Sequence, residues 1–213
     1  DSNPTVRFNA VKAFASLKDS SSVDSIIKML KDPILEVRAA AAYVLGQLGD
    51  SKAETPLIAA FTSKDTLSVN NIFNQNILEA LGKCGTKSTL KNIASVATYR
   101  PTDNLLILGQ VRAFYKFGQR GMFDEAATNT VVSYIANRAY SDDERILSAH
   151  YLSRFKEANI SNNVESVLKS FESSDNPYIK MALANALGRT GNNNTAKLLM
   201  SAFNFEKDYR VKS

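Results

Sequence analysis

An apolar–basic pair recurs along this chain at a near-constant interval, and that regularity leaves few folds open. Val6-Arg7, Val37-Arg38 and Ile179-Lys180 each follow a turn written Asn3-Pro4, Asp32-Pro33 or Asn176-Pro177. Weaker copies enter at Asn74 and Arg145, and the last pair is Val211-Lys212. With the basic slot as marker, the positions are 7, 38, 74, about 107, 145, 180 and 212, about 34 residues apart. A repeat of that length holds one helical hairpin. A hairpin cannot bury its apolar face alone and must stack on its neighbours.

Between the markers, apolar residues return at spacings of three and four, the period of an amphipathic helix. They run Val23, Ile26, Ile27, Leu30, then Leu57, Ile58, Phe61, then Leu90, Ile93, Ala94. Further on come Val131, Val132, Ile135, then Val164, Val167, Leu168, Phe171, and finally Leu198, Leu199, Phe203. Pro4, Pro33 and Pro177 fall at or just before helix starts, where a missing N–H is harmless. Gly49, Gly85, Gly121 and Gly191 fall where helix ends need a left-handed residue. The pattern predicts an all-α chain: an α-solenoid, or superhelix, of about six helical hairpins, with residues 1–213 forming a single repeat domain. The fourth copy has two possible registers. Leu106, Ala113, Phe114 and Phe117 favour Ile107 as its marker, whereas Gly118 and Gly121 favour Gln110.

The motif narrows the class of solenoid. Tetratricopeptide repeats share the length, but their Trp/Leu-Gly/Tyr pattern is absent and the chain has no Trp. Thr55-Pro56-Leu57-Ile58 lacks the ankyrin His and occurs once. Asp32-Pro33, Val37-Arg38, Ala41, Val44-Leu45-Gly46 and Gly49-Asp50 resemble the HEAT-like repeats of the bilin-lyase type, members of the armadillo-like superhelices. The likeness is strong over 1–50 and 175–191 and thin over 100–160. The segments 1–16, Ala41 to Gln47 and Leu78 to Gly85 also resemble bacterial envelope proteins in which such repeats precede a cyclophilin-type peptidyl-prolyl isomerase domain. That resemblance implies an envelope or periplasmic location and an isomerase domain outside this chain, which shows no β-barrel pattern of its own. The start inside a turn at Asp1 and the stop at Ser213 lead us to expect a piece of a longer protein.

Composition restricts the chemistry. One histidine (His150) excludes a metal site built on paired histidines, and one cysteine (Cys84) excludes an intramolecular disulfide. No apolar run reaches the ~18–20 residues of a membrane-spanning helix. Cys84 shares a repeat slot with Leu48, so a buried thiol is expected. Gly82-Lys83-Cys84-Gly85-Thr86-Lys87-Ser88 lacks the residue order of a phosphate loop and follows a helix rather than a strand. Asp142, Asp143 and Glu144 open a helix, where carboxylates suit the dipole better than they suit a metal. Arg7, Arg38 and Arg145 recur beside Asp1, Asp32 and Asp142 and are expected to form a structural ladder between repeats. No catalytic, cofactor or metal residues are expected.

A basic stripe emerges once the repeats are stacked. In HEAT-like solenoids the second helix of each pair lines the concave face. With Ile107 as fourth marker, the Tyr43 slot gives Lys12, Tyr43, Glu79, Arg112, His150 and Asn185. The Gln47 slot, one turn on, gives Ser16, Gln47, Lys83, Lys116, Arg154 and Arg189. Tyr43, Lys83, Arg112, Lys116, His150, Arg154 and Arg189 are therefore the candidate partner-binding residues. The competing explanation is that cations suit the negative end of a helix. The sequence points to a non-catalytic scaffold that binds a protein or peptide of acidic character, or else to the repeat module of a peptidyl-prolyl isomerase. A nucleic-acid cradle is the weakest reading, because a net charge of +5 is modest and base-gripping aromatics are missing.

Overall fold

The structure, a computed structural model, describes residues 1–18, 20–63, 65, 67–96 and 104–212. Residues 100–103, at the head of the stretch with the thinnest motif, lie outside them. The fold is an all-α solenoid, and no strand occurs among the described residues. The chain divides into two compact units, Asp1–Met122 and Phe123–Ser213. Across both, among the described residues, six helices that carry a marker alternate with six helices between the markers, the number the spacing predicts. A last four-residue helix carries the seventh marker, Lys212.

The first unit holds α1 (Pro4–Leu17), α2 (Val23–Met29), α3 (Leu35–Leu48), α4 (Glu54–Ala60), α5 (Asn71–Cys84), α6 (Lys87–Ala94) and α7 (Asn104–Gln119). The marker helices stack in order: α3 lies between α1 and α5, and α5 lies against α7. The short helices α2, α4 and α6 each pack on the marker helix that follows. A helix covered on several sides needs apolar residues nearly all round. Accordingly α3, written LEVRAAAAYVLGQL, buries eight residues, and Leu45, Ile77, Leu78, Ile107, Phe114 and Phe117 form the core of the unit. The second unit holds α8 (Glu125–Ala136), α9 (Asp142–Arg154), α10 (Val164–Ser173), α11 (Pro177–Gly188), α12 (Asn193–Phe205) and α13 (Tyr209–Lys212). There α9 packs on α8 and α11, and α10 also packs on α11.

The marker slot has a structural job, and it settles the register of the fourth copy. In five of the repeats the marker side chain binds carbonyls ahead of its helix, Arg7 taking Asp1 O and Ser2 O at 2.9 Å each. Arg38 donates to Asp32 O and Pro33 O at 2.9 and 3.2 Å. Asn74 donates to Thr62 O at 3.1 Å, and Arg145 to Ile135 O at 3.1 Å. Gln110, 0% exposed, donates to Ile93 O at 2.6 Å and Val96 O at 3.1 Å. The fourth marker is therefore Gln110, not Ile107. Gly121 agrees, because its φ of +73° matches +67° at Gly49 and +64° at Gly191, the residues that end the equivalent helices. Gly85 does not follow them: its backbone is extended (φ −74°, ψ 165°). Close packing explains the glycine there instead, since a Cβ would lie 2.6 Å from Leu81 O and 3.1 Å from the Phe117 ring.

The ladder joins successive repeats. Arg7 grips Asp32 with two bonds, Nε to Oδ2 at 2.7 Å and Nη2 to Oδ1 at 2.9 Å, a geometry suited to a planar guanidinium. Its partner is the aspartate of the next repeat, rather than the neighbouring Asp1 side chain. Asp142 likewise serves two repeats, accepting from Arg145 at 3.3 Å and from Asn176 at 2.8 Å. Lys180 reaches Glu206 at 2.7 Å.

The end of the second unit is set to respond to acid. Backbone N–H of Asp208 and the Lys180 ammonium hold the Glu206 carboxyl at about 2, and the Arg210 guanidinium holds Asp208 at about 2. A carboxyl depressed by folding stabilises the fold above its unfolded value and loses that contribution as pH falls through its folded value. Amide protection of α12 and α13 should therefore hold down to about pH 4.5 and fall between about pH 4 and pH 2. Exchange that stays unchanged across this window would contradict the assignment.

Candidate binding face

The exposed slots of the marker helices carry most of the candidate residues, but the corrected register moves two of them. With Gln110 as marker, the Tyr43 slot of α7 belongs to Tyr115 and the Gln47 slot to Gln119. Arg112 and Lys116 each lie three residues earlier, so neither occupies the slot from which it was chosen. Both still reach the α5 seam. Arg112, exposed, pairs its Nη1 with Glu79 Oε1 at 2.8 Å, and Gln75 donates to that same oxygen at 3.1 Å. Lys116 donates to Gln119 Oε1 at 3.0 Å.

Glycine brings α5 and α7 together. A Cβ on Gly82 would lie 2.7 Å from Ala113 Cα, 2.8 Å from Ala113 O and 3.0 Å from Lys116 Cβ. Lys83, the next residue, is therefore held beside Lys116. Burial, followed by the charge of Lys116, pushes the Lys83 ammonium below its ordinary value, and Glu79 pulls it the other way. Elsewhere in this unit, Tyr43 is 41% exposed and carries the Lys12 ammonium 5.2 Å from its ring centre, a cation–π contact.

In the second unit, His150 and Arg154 are exposed, and neither has a hydrogen bond or ion pair among the described residues. Arg189 is committed elsewhere. Its guanidinium donates to the carbonyls of Leu152 and Ser153 at the end of α9, and to Asn185 Oδ1 at 3.1 Å. These bonds are those of a cation placed at a helix end.

Three features were missed by the sequence reading. Arg120 lies over the Phe117 ring at 5.6 Å and donates to Gly82 O at 3.2 Å, closing the end of α5. Its signal was a cation directly before Gly121. Glu54, the first residue of α4, reaches the start of α6 and accepts from Thr86 N at 2.6 Å and from the Thr86 and Thr89 hydroxyls. Burial works to raise this carboxyl, but those bonds, with Arg120 nearby, hold it below its ordinary value. The stretch that resembled a phosphate loop thus ends on a carboxylate from its own chain. The third feature is a cavity of about 390 Å³ lined by Ile58, Phe61, Leu78, Leu81, Ile93 and Val96, with Ser, Thr and Asn at the remaining positions and no titratable group. Cys84 is buried, and burial pushes its thiol up to about 11.

The HEAT-repeat family model matches residues 1–72. That match spans α1 to α4 and the first residues of α5. Among solved structures, the chain is similar to human deoxyhypusine hydroxylase in complex with glycerol, at 17% identity and a TM-score of 0.40, over 99% of this chain and 88% of that one. No curated protein matches the chain.

Proposed function

We propose that this chain is a non-catalytic binding solenoid, each of whose units holds acidic protein segments on the exposed side of its own marker helices. One observation carries the reading. Of Lys12, Lys83, Arg112, Lys116 and Arg154, only Arg112 has a carboxylate partner among the described residues. Like charges without counter-charges cost stability and attract anions. The HEAT-repeat match over residues 1–72 supports a scaffold role, since such stacked helices present extended surfaces.

The test is binding of a labelled glutamate-rich peptide, followed by anisotropy. Affinity should fall about tenfold or more between roughly 20 and 200 mM salt, as surface charges become screened. Lys83→Glu and Arg154→Glu should each weaken binding several-fold. Lys28→Glu and Lys169→Glu, exposed on the outer helices between the markers, should change it by less than about twofold. Equal effects from the two sets would remove the basis for the assignment.

The resemblance to isomerase-linked repeats supports a second reading, in which these repeats present a client chain to an isomerase domain elsewhere. Under both readings this chain has no turnover of its own. His150 is exposed without a partner group, and the Cys84 thiol is buried and protonated at neutral pH. A prolyl-peptide isomerisation assay on the purified chain should therefore give the uncatalysed rate. Activity that survives repurification would refute this.

A further inference from the structure

We infer that Lys83 and Lys116 form a two-ammonium subsite that grips one side-chain carboxylate of the acidic segment. The inference rests on the binding reading above and adds to it the place where a single anionic group is held.

Packing fixes the pair. The α5–α7 seam closes at Gly82, where even a methyl group would meet Ala113 backbone at 2.7 Å and Lys116 Cβ at 3.0 Å. The seam sets Lys116 Cβ against the residue next to Lys83, and the Lys116 charge is felt at the Lys83 ammonium. Lys83 is half-buried and has no hydrogen bond or ion pair among the described residues. Lys116 has one bond, to the neutral amide oxygen of Gln119.

The nearby charges do not neutralise the pair. Glu79 faces Lys83, but its Oε1 already takes Arg112 at 2.8 Å and Gln75 at 3.1 Å. Glu79 and Arg112 cancel, so two unmatched ammonium groups remain at the seam. Both stand in the last turn of their helices, where the dipole suits a cation, yet neither donates to a helix-end carbonyl among the described residues. Arg120 already donates to Gly82 O, and Gly85 N donates to Leu81 O, which closes the end of α5 without either lysine. Two ammonium groups are point charges rather than planar forks, and they suit one anion lying between them. A carboxylate supplies two oxygens and one negative charge, enough to cancel the mutual repulsion. Its arrival also favours the protonated form of Lys83, so binding takes up protons at alkaline pH.

The experiment uses the full chain with its lysines reductively ¹³C-methylated, so that each dimethyl-lysine titrates as a separate NMR signal. Lys83→Arg assigns the Lys83 signal. Penta-glutamate is the probe, with inorganic phosphate as a second arm. In the free protein, Lys116→Gln should raise the pKa of Lys83. Saturating penta-glutamate should raise it in the wild type and raise it less in Lys116→Gln. Lys83→Gln and Lys116→Gln should each weaken penta-glutamate binding roughly three- to tenfold, and the double variant little more than either single one, as expected for one shared ligand group. Lys91→Gln, on α6, should leave binding unchanged. Circular dichroism confirms that each variant is folded.

Three results would overturn the inference. If penta-glutamate binds and the Lys83 signal does not move, the subsite is wrong while the binding reading stands. If phosphate moves Lys83 and penta-glutamate does not, the seam takes small free anions and not a peptide carboxylate. If neither moves it and penta-glutamate does not bind, both readings fail together.

Discussion

Gly82→Ala lowers stability by about 1–3 kcal/mol, whereas Gly188→Ala, at the same repeat slot, raises it by about 0.4–1 kcal/mol. On an isolated helix both changes would help, because alanine loses less backbone freedom than glycine on folding. Surroundings reverse the sign at one site only. A Cβ on Gly82 would lie 2.7 and 2.8 Å from Ala113 Cα and O, which are backbone atoms and can yield only if α5 and α7 part. At Gly188 nothing lies within 4 Å. Urea midpoints of the two variants, read beside wild type with the unfolding slope held constant, check the pair. Two shifts of the same sign would mean that the α5–α7 approach is not as close as the packing requires.

Phe117→Ala should cost about 3–5 kcal/mol, the range for emptying a fully buried aromatic site. Phe117 is 0% exposed, touches the position where Gly85 has no side chain, and supports the Arg120 guanidinium on its ring. Its loss should therefore loosen two helix ends at once. In a stack where each repeat contacts only its neighbours, the damage stays near its source. Amide protection should fall across α5, α6 and α7 and hold in α9 and α11. A drop spread evenly over the chain would show one cooperative block instead of additive repeats.

The all-α fold and the six helical pairs were legible in the sequence because both depend on periodicity, which the chain repeats many times. The fourth register stayed open between Ile107 and Gln110, because its apolar residues and its glycines point to different markers. Arg38, Asn74, Gln110 and Arg145 differ in charge yet do the same work, binding carbonyls ahead of their helices. Hydrogen-bonding capacity, not charge, fills these four slots, so charge alone could not choose between Ile107 and Gln110. Gly85 misled for a related reason: glycine is required both where φ is positive and where another chain segment approaches closely, and one sequence cannot tell these apart. Of the candidate face, Lys83 and Arg154 were placed by the repeat alone. Arg189, although exposed, is taken up by the α9 carbonyls within its reach, a tertiary fact with no local signature. Glu54 was missed because its partners, Thr86 and Thr89, lie a full repeat away.

The ladder also has a direction in time. Arg7 precedes its acceptor Asp32 by 25 residues, Arg38 precedes Asn70 by 32, and Lys180 precedes Glu206 by 26. In each of these rungs the donor leaves the ribosome first and waits, hydrated, while the next repeat is made. At about 5–20 residues per second, that wait is roughly 1–6 s. Arg120 and Arg189 work the other way, reaching back to helix ends already synthesised. Vectorial synthesis thus alternates a rung left open for the repeat to come with a clasp shut on the repeat before.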